Sequence, residues 1–331
     1  MRVTNSIQNR MYLKNTHNNL ESMLKSMNRM ITNRAYDRAS EDSINASKAM
    51  TTRRQLSNLS MYEDNLNTAY EFFTNAEINL YEMNNKYSTT ILPKVEQAVN
   101  SSYAADDRAA IGLELKEVAG HFLNLMNSDF AERQVFGGTS NNATPFTTTV
   151  DANGRTIVNY NGEPVDSYNN PEDFEGAGPI FIDIGLGIKY DDDYNVDPQT
   201  AMDIALNGAK MTGCGVDDDG YSQNMIQLVY DAATACENDD PETLNALIDK
   251  LAAANGTVLS AITIIGSKYN SVEFYRDKNS DYEYSLLERQ NDVEGVDFNE
   301  ELTKYEALDA SYQAALKLSS KVLPRSIFDF V

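Results

Sequence analysis

Long amphipathic helices are the first feature that the pattern of apolar and polar positions predicts. Between residues 59 and 87, apolar side chains recur at a spacing that alternates between three and four, which places them on one helix face. A second series runs between residues 244 and 272, with a break at Lys268. Because each series covers 29 residues, we expect the two helices to pack antiparallel. The two series are Leu59, Tyr62, Leu66, Ala69, Phe73, Ala76, Leu80, Met83 and Tyr87, and Leu244, Leu247, Leu251, Ala254, Val258, Ala261, Ile265 and Val272.

Two shorter helices are predicted between these long ones. The first should begin near Asp107 with Asp106 as its cap, and the second should follow Ser222. Their apolar positions are Ile111, Leu115, Val118, Phe122 and Leu125 in the first, and Ile226, Val229, Ala233 and Cys236 in the second. Cys236 is therefore expected in the core, whereas Cys214 lies in a loop-like stretch and should be the more exposed of the two thiols.

A small inserted domain is predicted between the two shorter helices. Residues 137–220 contain 12 of the 17 glycines and five of the eight prolines of the chain. The segments 155–160 and 179–190 are rich in β-branched and aromatic residues and are bounded by turn signals such as Asn153-Gly154. We interpret Gly137-Gly138 as the elbow where the chain leaves the helices and enters a β-rich region.

Both chain ends have apolar series of their own, without an obvious partner in the body of the protein. We predict that they pair with each other or with another molecule, that they are mobile in the free monomer, and that they form an assembly interface. The predicted interface residues are Leu13, Leu20, Leu24, Met27, Ile31, Leu302, Tyr305, Leu308, Tyr312, Ala315, Val322 and Phe328.

The predicted fold is mainly α: a long antiparallel, coiled-coil rod built from the N- and C-terminal halves, with a small β-rich insertion. The predicted segments are residues 1–54 (inner N-terminal helix), 55–136 (first half of the rod), 137–221 (outer domain), 222–290 (second half of the rod) and 291–331 (inner C-terminal helix).

The charge distribution limits the classes of partner. The net charge is −23, which argues against nucleic acid, because phosphate binding needs basic surfaces. Residues 1–54 nevertheless have a net charge of +6, from ten basic and four acidic side chains, so the N-terminal segment should have its own task. We find no cleavable signal peptide and no stretch near the roughly 18–20 apolar residues of a membrane span. The chain is expected to stay in the cytoplasm or to be exported without cleavage.

Catalysis and metal binding have little support in the sequence. His17 and His121 fall in separate predicted helices, and neither belongs to a nucleophile, metal or phosphate-loop motif. The acidic stretch from Asp191 resembles the start of a calcium loop, but Val196 and Met202 occupy positions that need glycine and a bidentate glutamate. We therefore expect solvated turn acids, no cofactor, no metal and no enzymatic activity. Two cysteines do not make a disulfide framework.

Three stretches resemble one protein family. Residues 31–49 (ITNRAYDRASEDSINASKA) resemble the N-terminal signature of flagellins, although Asn33 and Ser43 stand where that family prefers glycine and proline. Residues 133–146 (RQVFGGTSNNATPF) and residues 305–331 (YEALDASYQAALKLSSKVLPRSIFDFV) are similar to the elbow and the C-terminus of the hook-associated protein 3 family. The resemblance covers residues 1–146 and about 222–331.

This resemblance implies a structural role outside the cell. Members of the family leave unfolded through the flagellar type III export apparatus, and a cytoplasmic chaperone holds the C-terminal helix beforehand. They then form a ring of subunits at the hook–filament junction, between hook-associated protein 1 and flagellin, with the terminal helices innermost. Two alternatives stay open: a short flagellin, which the "SIFDFV" end at residues 326–331 disfavours, and a secreted helical adhesin or effector.

Overall fold

A computed structural model describes residues 5–100, 102–152 and 154–322. The chain divides into two compact units: unit 1 combines Met1–Asn58 with Ser280–Val331, and unit 2 is Leu59–Asn279. In the described ranges the helices are α1 (Asn5–Thr32), α2 (Ser43–Lys86), α3 (Leu92–Val99), α4 (Ala105–Met126), α5 (Gly208–Thr212), α6 (Met225–Glu237), α7 (Pro241–Glu294) and α8 (Phe298–Val322), with a π-helical turn at Tyr87–Ile91.

Unit 2 is organised around the two long apolar series, which pack antiparallel as predicted. The hydroxyl of Tyr269 donates a hydrogen bond to that of Tyr70, and the Asn255 side-chain amide donates to Asn84 Oδ1 at 3.1 Å. The residue numbers of both pairs sum to 339, which is the signature of an antiparallel register. All but one of the predicted positions are buried, and from Leu66 onward they join one hydrophobic core. Tyr62 is the exception and is half-buried.

The two shorter helices, α4 and α6, pack against each other, but both begin elsewhere than predicted. The N-cap of α4 is Ala104, and Asp107 lies inside the first turn, where its carboxylate accepts a hydrogen bond from the Ala104 N–H. α6 begins after Asn224, whose side chain accepts from the N–H groups of the first turn. Both local arrangements supply an acceptor for N–H groups that have no helical partner.

The predicted β-rich insertion, residues 137–221, contains a few small sheets. The strands of the described residues are short: β1 (Asp129–Phe130), β2 (Arg133–Gln134), β3 (Phe146–Val150), β4 (Thr156–Tyr160), β5 (Glu163–Pro164), β6 (Phe181–Ile182) and β7 (Met202–Asp203). They form antiparallel sheets in the orders β1-β2, β3-β4-β5 and β6-β7. The predicted strand at residues 179–190 is cut short because Gly185 and Gly187 have positive φ angles of 90° and 75°. Asn153 of the predicted Asn153-Gly154 turn lies outside the described residues.

The predicted insert shares its core with the helices of unit 2. Gln227 of α6 accepts a hydrogen bond from Val158 N at 2.8 Å and donates one to Thr156 O at 2.9 Å, which holds β4 against α6. At the elbow, Tyr160 is fully buried and its hydroxyl donates to Phe136 O at 2.9 Å. A Cβ atom at Gly138 would lie 2.1 Å from Gly176 O, so only glycine fits there. The boundaries of the five predicted segments remain a prediction, but the insert is not separated from the helices in this division of the chain.

Cys214 is the more exposed of the two thiols, as predicted, but both are buried. Cys214 is only 6% exposed and Cys236 is fully buried. The loop that follows α5 folds back onto the core, so a loop position is buried by tertiary contacts. Burial raises the pKa of both thiols to about 11.

One segment of α7 is long and apolar enough to span a membrane, by length and composition alone. We had expected no such segment from the sequence. Its 18-residue window has a mean hydropathy of 1.3. The same helix supplies Leu251, Val258 and Ile265 to the core of unit 2. These contacts are those of a core helix, so we interpret the window as part of the packed seam.

Candidate assembly surfaces

In unit 1 the two chain ends pair with each other. Three hydrogen bonds connect α1 to backbone carbonyls of α8: from Tyr12 to Ala315 (2.7 Å), from Asn19 to Leu308 (3.5 Å) and from Ser26 to Glu301 (3.3 Å). The residue numbers sum to 327 in each pair. α1 and α8 therefore run antiparallel with a fixed register.

The face of α1 that contacts α8 is largely polar. Its positions alternate by three and four residues and are half-buried or buried: Asn9, Tyr12, Thr16, Asn19, Met23, Ser26 and Met30. On α8 the corresponding positions are Glu301, Tyr305, Leu308, Tyr312 and Ala315. The predicted α8 residues other than Leu302 and Val322 thus lie in the contact within one chain.

The apolar series predicted on α1 lies on a different face. Leu13 is 61% exposed and Ile31 is 70% exposed; Leu24 and Met27 are also exposed, and Leu20 is half-buried. Since successive helical residues are about 100° apart, this series lies about a quarter turn from the contact with α8. The predicted apolar series of α1 therefore lies outside the contact with α8.

A matching apolar stripe lies on α8. Phe298, Leu302 and Leu316 are between 37% and 53% exposed, and they are also displaced by roughly a quarter turn, in the same rotational sense, from the contact with α1. In an antiparallel helix pair, faces displaced in the same sense lie on the same side of the pair. The two stripes thus form one surface, which we name the apolar face: Leu13, Leu24, Met27, Ile31, Phe298, Leu302 and Leu316.

An exposed surface of this kind needs a reason. Monomeric soluble proteins rarely leave a long contiguous row of large apolar side chains in water, and such rows mark interaction sites. The side chain of Val322 is outside the described part of the structure, as is the whole of Phe328. The interface role of the predicted residues remains a proposal.

The groups considered for metal or catalytic chemistry have structural partners. Asp191 accepts hydrogen bonds from Asp193 N (2.9 Å) and Asn195 N (2.8 Å) of its own turn, and these bonds lower its pKa. The Lys250 ammonium lies 2.6 Å from a carboxylate oxygen of each of Asp217 and Asp219. In residues 5–100, 102–152 and 154–322 no group of three or more His, Cys, Asp or Glu side chains is placed to hold a metal ion.

Comparisons with known proteins point in the same direction as the resemblance. A family model described as the bacterial flagellin N-terminal helical region matches residues 3–141. The flagellar hook-associated protein 3 of Escherichia coli (strain K12) is 23% identical over 340 residues, covering 95% of this chain and 96% of that protein.

Solved structures with similar folds are also flagellar proteins. A putative flagellar hook-associated protein from Vibrio parahaemolyticus superposes with a TM-score of 0.60 and 16% identity, covering 77% of this chain and 100% of that one. FlgL from Bacillus cereus superposes with a TM-score of 0.52 and 19% identity, covering 73% and 99%. At these identities the likeness concerns the fold alone.

Proposed function

We propose that the chain is a member of the flagellin family and a structural subunit of the bacterial flagellum that joins the hook to the flagellin filament, as hook-associated protein 3 does. The observation that supports this most is the extent of the match to that protein, which covers 95% of one chain and 96% of the other. A flagellin-like N-terminal region alone would be compatible with a filament subunit. The match continues through the C-terminal half, where the "SIFDFV" end at residues 326–331 also favours the junction protein.

In this proposal the apolar face is where neighbouring subunits of a ring meet. The polar contact between α1 and α8 holds the two chain ends side by side, and the apolar face stays available for association. Other partners are hook-associated protein 1 on the hook side, flagellin on the filament side, and before export a chaperone on α8 and the type III apparatus. The protein would act outside the cell, without a catalytic step.

The test is a strain that lacks the gene. Electron microscopy of that strain should find hooks without filaments, with flagellin released into the medium, and the wild-type gene should restore filaments and swimming. Antibody against this protein should label a band at the hook–filament junction. Label along the whole filament would instead identify a flagellin, and normal filaments in the deletion strain would exclude both roles.

A matched pair of variants connects this role to the apolar face. Ile31→Asp should abolish swimming while the protein is still secreted, because it places a carboxylate in the apolar face. Glu21→Lys, on the same helix but away from that face, should swim normally. Swimming by the Ile31→Asp strain would contradict the assignment of this surface.

A further inference from the structure

Unit 1 consists of two chain segments with opposite net charge. Residues 1–58 contain ten basic and four acidic side chains, a net charge of +6. Residues 280–331 contain five basic and eleven acidic side chains, a net charge of −6. The net charge of unit 1 is therefore zero, but its N-terminal part is basic and its C-terminal part is acidic.

Few of these charges meet inside the monomer. Among the described residues, ion pairs between the two segments are Arg53–Glu294 at 2.7 Å and Arg29–Glu301 at 3.9 Å. Two further ion pairs of the described residues, Lys25–Glu21 and Lys304–Glu301, each lie within one helix. Ion pairs within one chain therefore do not account for most of the charge difference between the two segments.

The acidic charges form a stripe on the outside of α7. In unit 1, α7 buries Leu286 and Glu294. Asp281, Glu288 and Asp292 are exposed, and at about 100° per residue they fall on the side opposite the buried positions. Tyr284, 73% exposed, lies in the middle of this stripe. Asp281, Tyr284, Glu288 and Asp292 are named the acidic stripe.

The first turns of α2 provide the complementary surface. There α2 buries Ala46, Ala49 and Thr52, a side that also lines a cleft of about 200 Å³ together with Glu294 of α7. The exposed Lys48 and Arg54 lie away from that contact, whereas Met50 lines the cleft. Residues 43–58 contain three basic side chains and no acidic one. Lys48 and Arg54 are named the basic patch.

Within unit 1, the acidic stripe and the basic patch point away from each other, on the outer sides of α7 and α2. Two surfaces that are complementary but different, and that face opposite ways, generate a head-to-tail interface that repeats from copy to copy. The acidic stripe also has one large exposed side chain, Tyr284, that the opposite surface can cover.

We propose that the acidic stripe of one copy docks on the basic patch of the next copy, which sets the order and handedness of neighbours in the ring. This rests on the proposed function, since it names which surfaces of unit 1 meet there. The apolar face supplies apolar contact area, whereas the charged surfaces exclude the reversed arrangement, because like charges placed opposite each other repel.

Charge reversal tests the docking in the deletion strain. Glu288→Lys with Asp292→Lys makes both surfaces basic, and Lys48→Glu with Arg54→Glu makes both acidic, so each double variant should lose swimming while its protein is still secreted. The variant with all four changes restores complementarity between copies and should regain most of the swimming halo. A matched control, Glu96→Lys with Asp249→Lys, alters two exposed charges of unit 2 and should swim like wild type.

Each outcome of the charge-reversal experiment supports or contradicts the proposed docking. Normal swimming of either double variant would overturn it, as would failure of the fourfold variant, because a docking partner other than a second copy would not have its own charges exchanged. The exchanged residues are exposed, and thermal unfolding of the secreted proteins checks that they fold. If the wild-type gene itself did not restore swimming, the proposed function would fail; if only the variants deviate from these results, the docking fails alone.

Discussion

Asn33 and Ser43 illustrate how single residues set the path between α1 and α2. Asn33 follows the end of α1 with a φ of +54°, a left-handed conformation that glycine adopts freely and asparagine tolerates. Ser43 is the first residue of α2, a position that suits proline, and Asp42 caps the helix by accepting from Asn45 N at 3.0 Å. Both departures from the family pattern thus fall where the family residue has a backbone role, and the replacement fills the same role.

The two cysteines allow a prediction at the residue scale. Cys214 and Cys236 should both react slowly with a thiol reagent in the native protein, because both are buried and a pKa of about 11 leaves only on the order of 0.1% thiolate at pH 8. Both should react within the dead time in denaturant. Labelling kinetics followed by mass spectrometry on each peptide measure this, with a Cys214→Ser variant as the control for assignment. Fast native labelling of Cys214 would mean that its loop opens readily.

At the scale of elements, the sequence predicts the seams of unit 2 well because each one is both apolar and buried. In α1 the same rule selects the wrong face for the contact within the chain, since Tyr12, Asn19 and Ser26 contact α8 through hydrogen bonds that periodicity of apolar residues does not register. The insert is the least predictable part. Its core positions depend on contacts distant in sequence, such as Gln227 with Val158.

Two variants of the terminal helices separate the contact within the chain from the apolar face. Tyr312→Asp places a carboxylate between α1 and α8, so it should loosen that pair in the monomer and lower its helical content. Ile31→Asp changes a residue that is 70% exposed and should leave the monomer unchanged. Circular dichroism and thermal unfolding of the two purified proteins compare them directly. Equal behaviour of both variants would contradict the two-face description of α1.

The insert leads to a second prediction at this scale. Replacing residues 147–220 by a short Gly/Ser linker should preserve the antiparallel pairing of α2 and α7, because the two helices also contact each other directly, as at Tyr70–Tyr269 and Asn84–Asn255. It should lower the unfolding temperature, since it uncovers Gln227 and the apolar side chains around it on α6. We expect helical circular dichroism to survive at low temperature and to melt earlier than in wild type. Loss of most helix at low temperature would mean that the insert is required for the helices to form.

At the scale of the whole molecule, stability is distributed unevenly between the two units. Unit 2 contains the large continuous core, which includes Phe73, Phe122 and Phe136. In unit 1, the α1–α8 contact is formed by buried and half-buried side chains, many of them polar, and by three hydrogen bonds to backbone carbonyls. Local stability follows the number of buried apolar contacts, so unit 1 should open at a much lower free energy than unit 2.

Assembly would stabilise unit 1 by burying the apolar face. Its seven side chains are each between 37% and 70% exposed. Full burial of a large apolar side chain contributes about 1.5–3 kcal/mol, so covering the remaining half of each would contribute on the order of 5–10 kcal/mol per subunit. That amount is comparable to the whole stability of a typical domain. Residues 301–318 should therefore exchange their amide hydrogens quickly in the isolated monomer and slowly in assembled flagella, while the seam between α2 and α7 in unit 2 stays protected in both. Hydrogen exchange with mass spectrometry on the two samples measures the difference. Strong protection of residues 301–318 in the monomer would mean that α1 and α8 form a stable pair without neighbours, and the apolar face would then add contacts between subunits without ordering the chain ends.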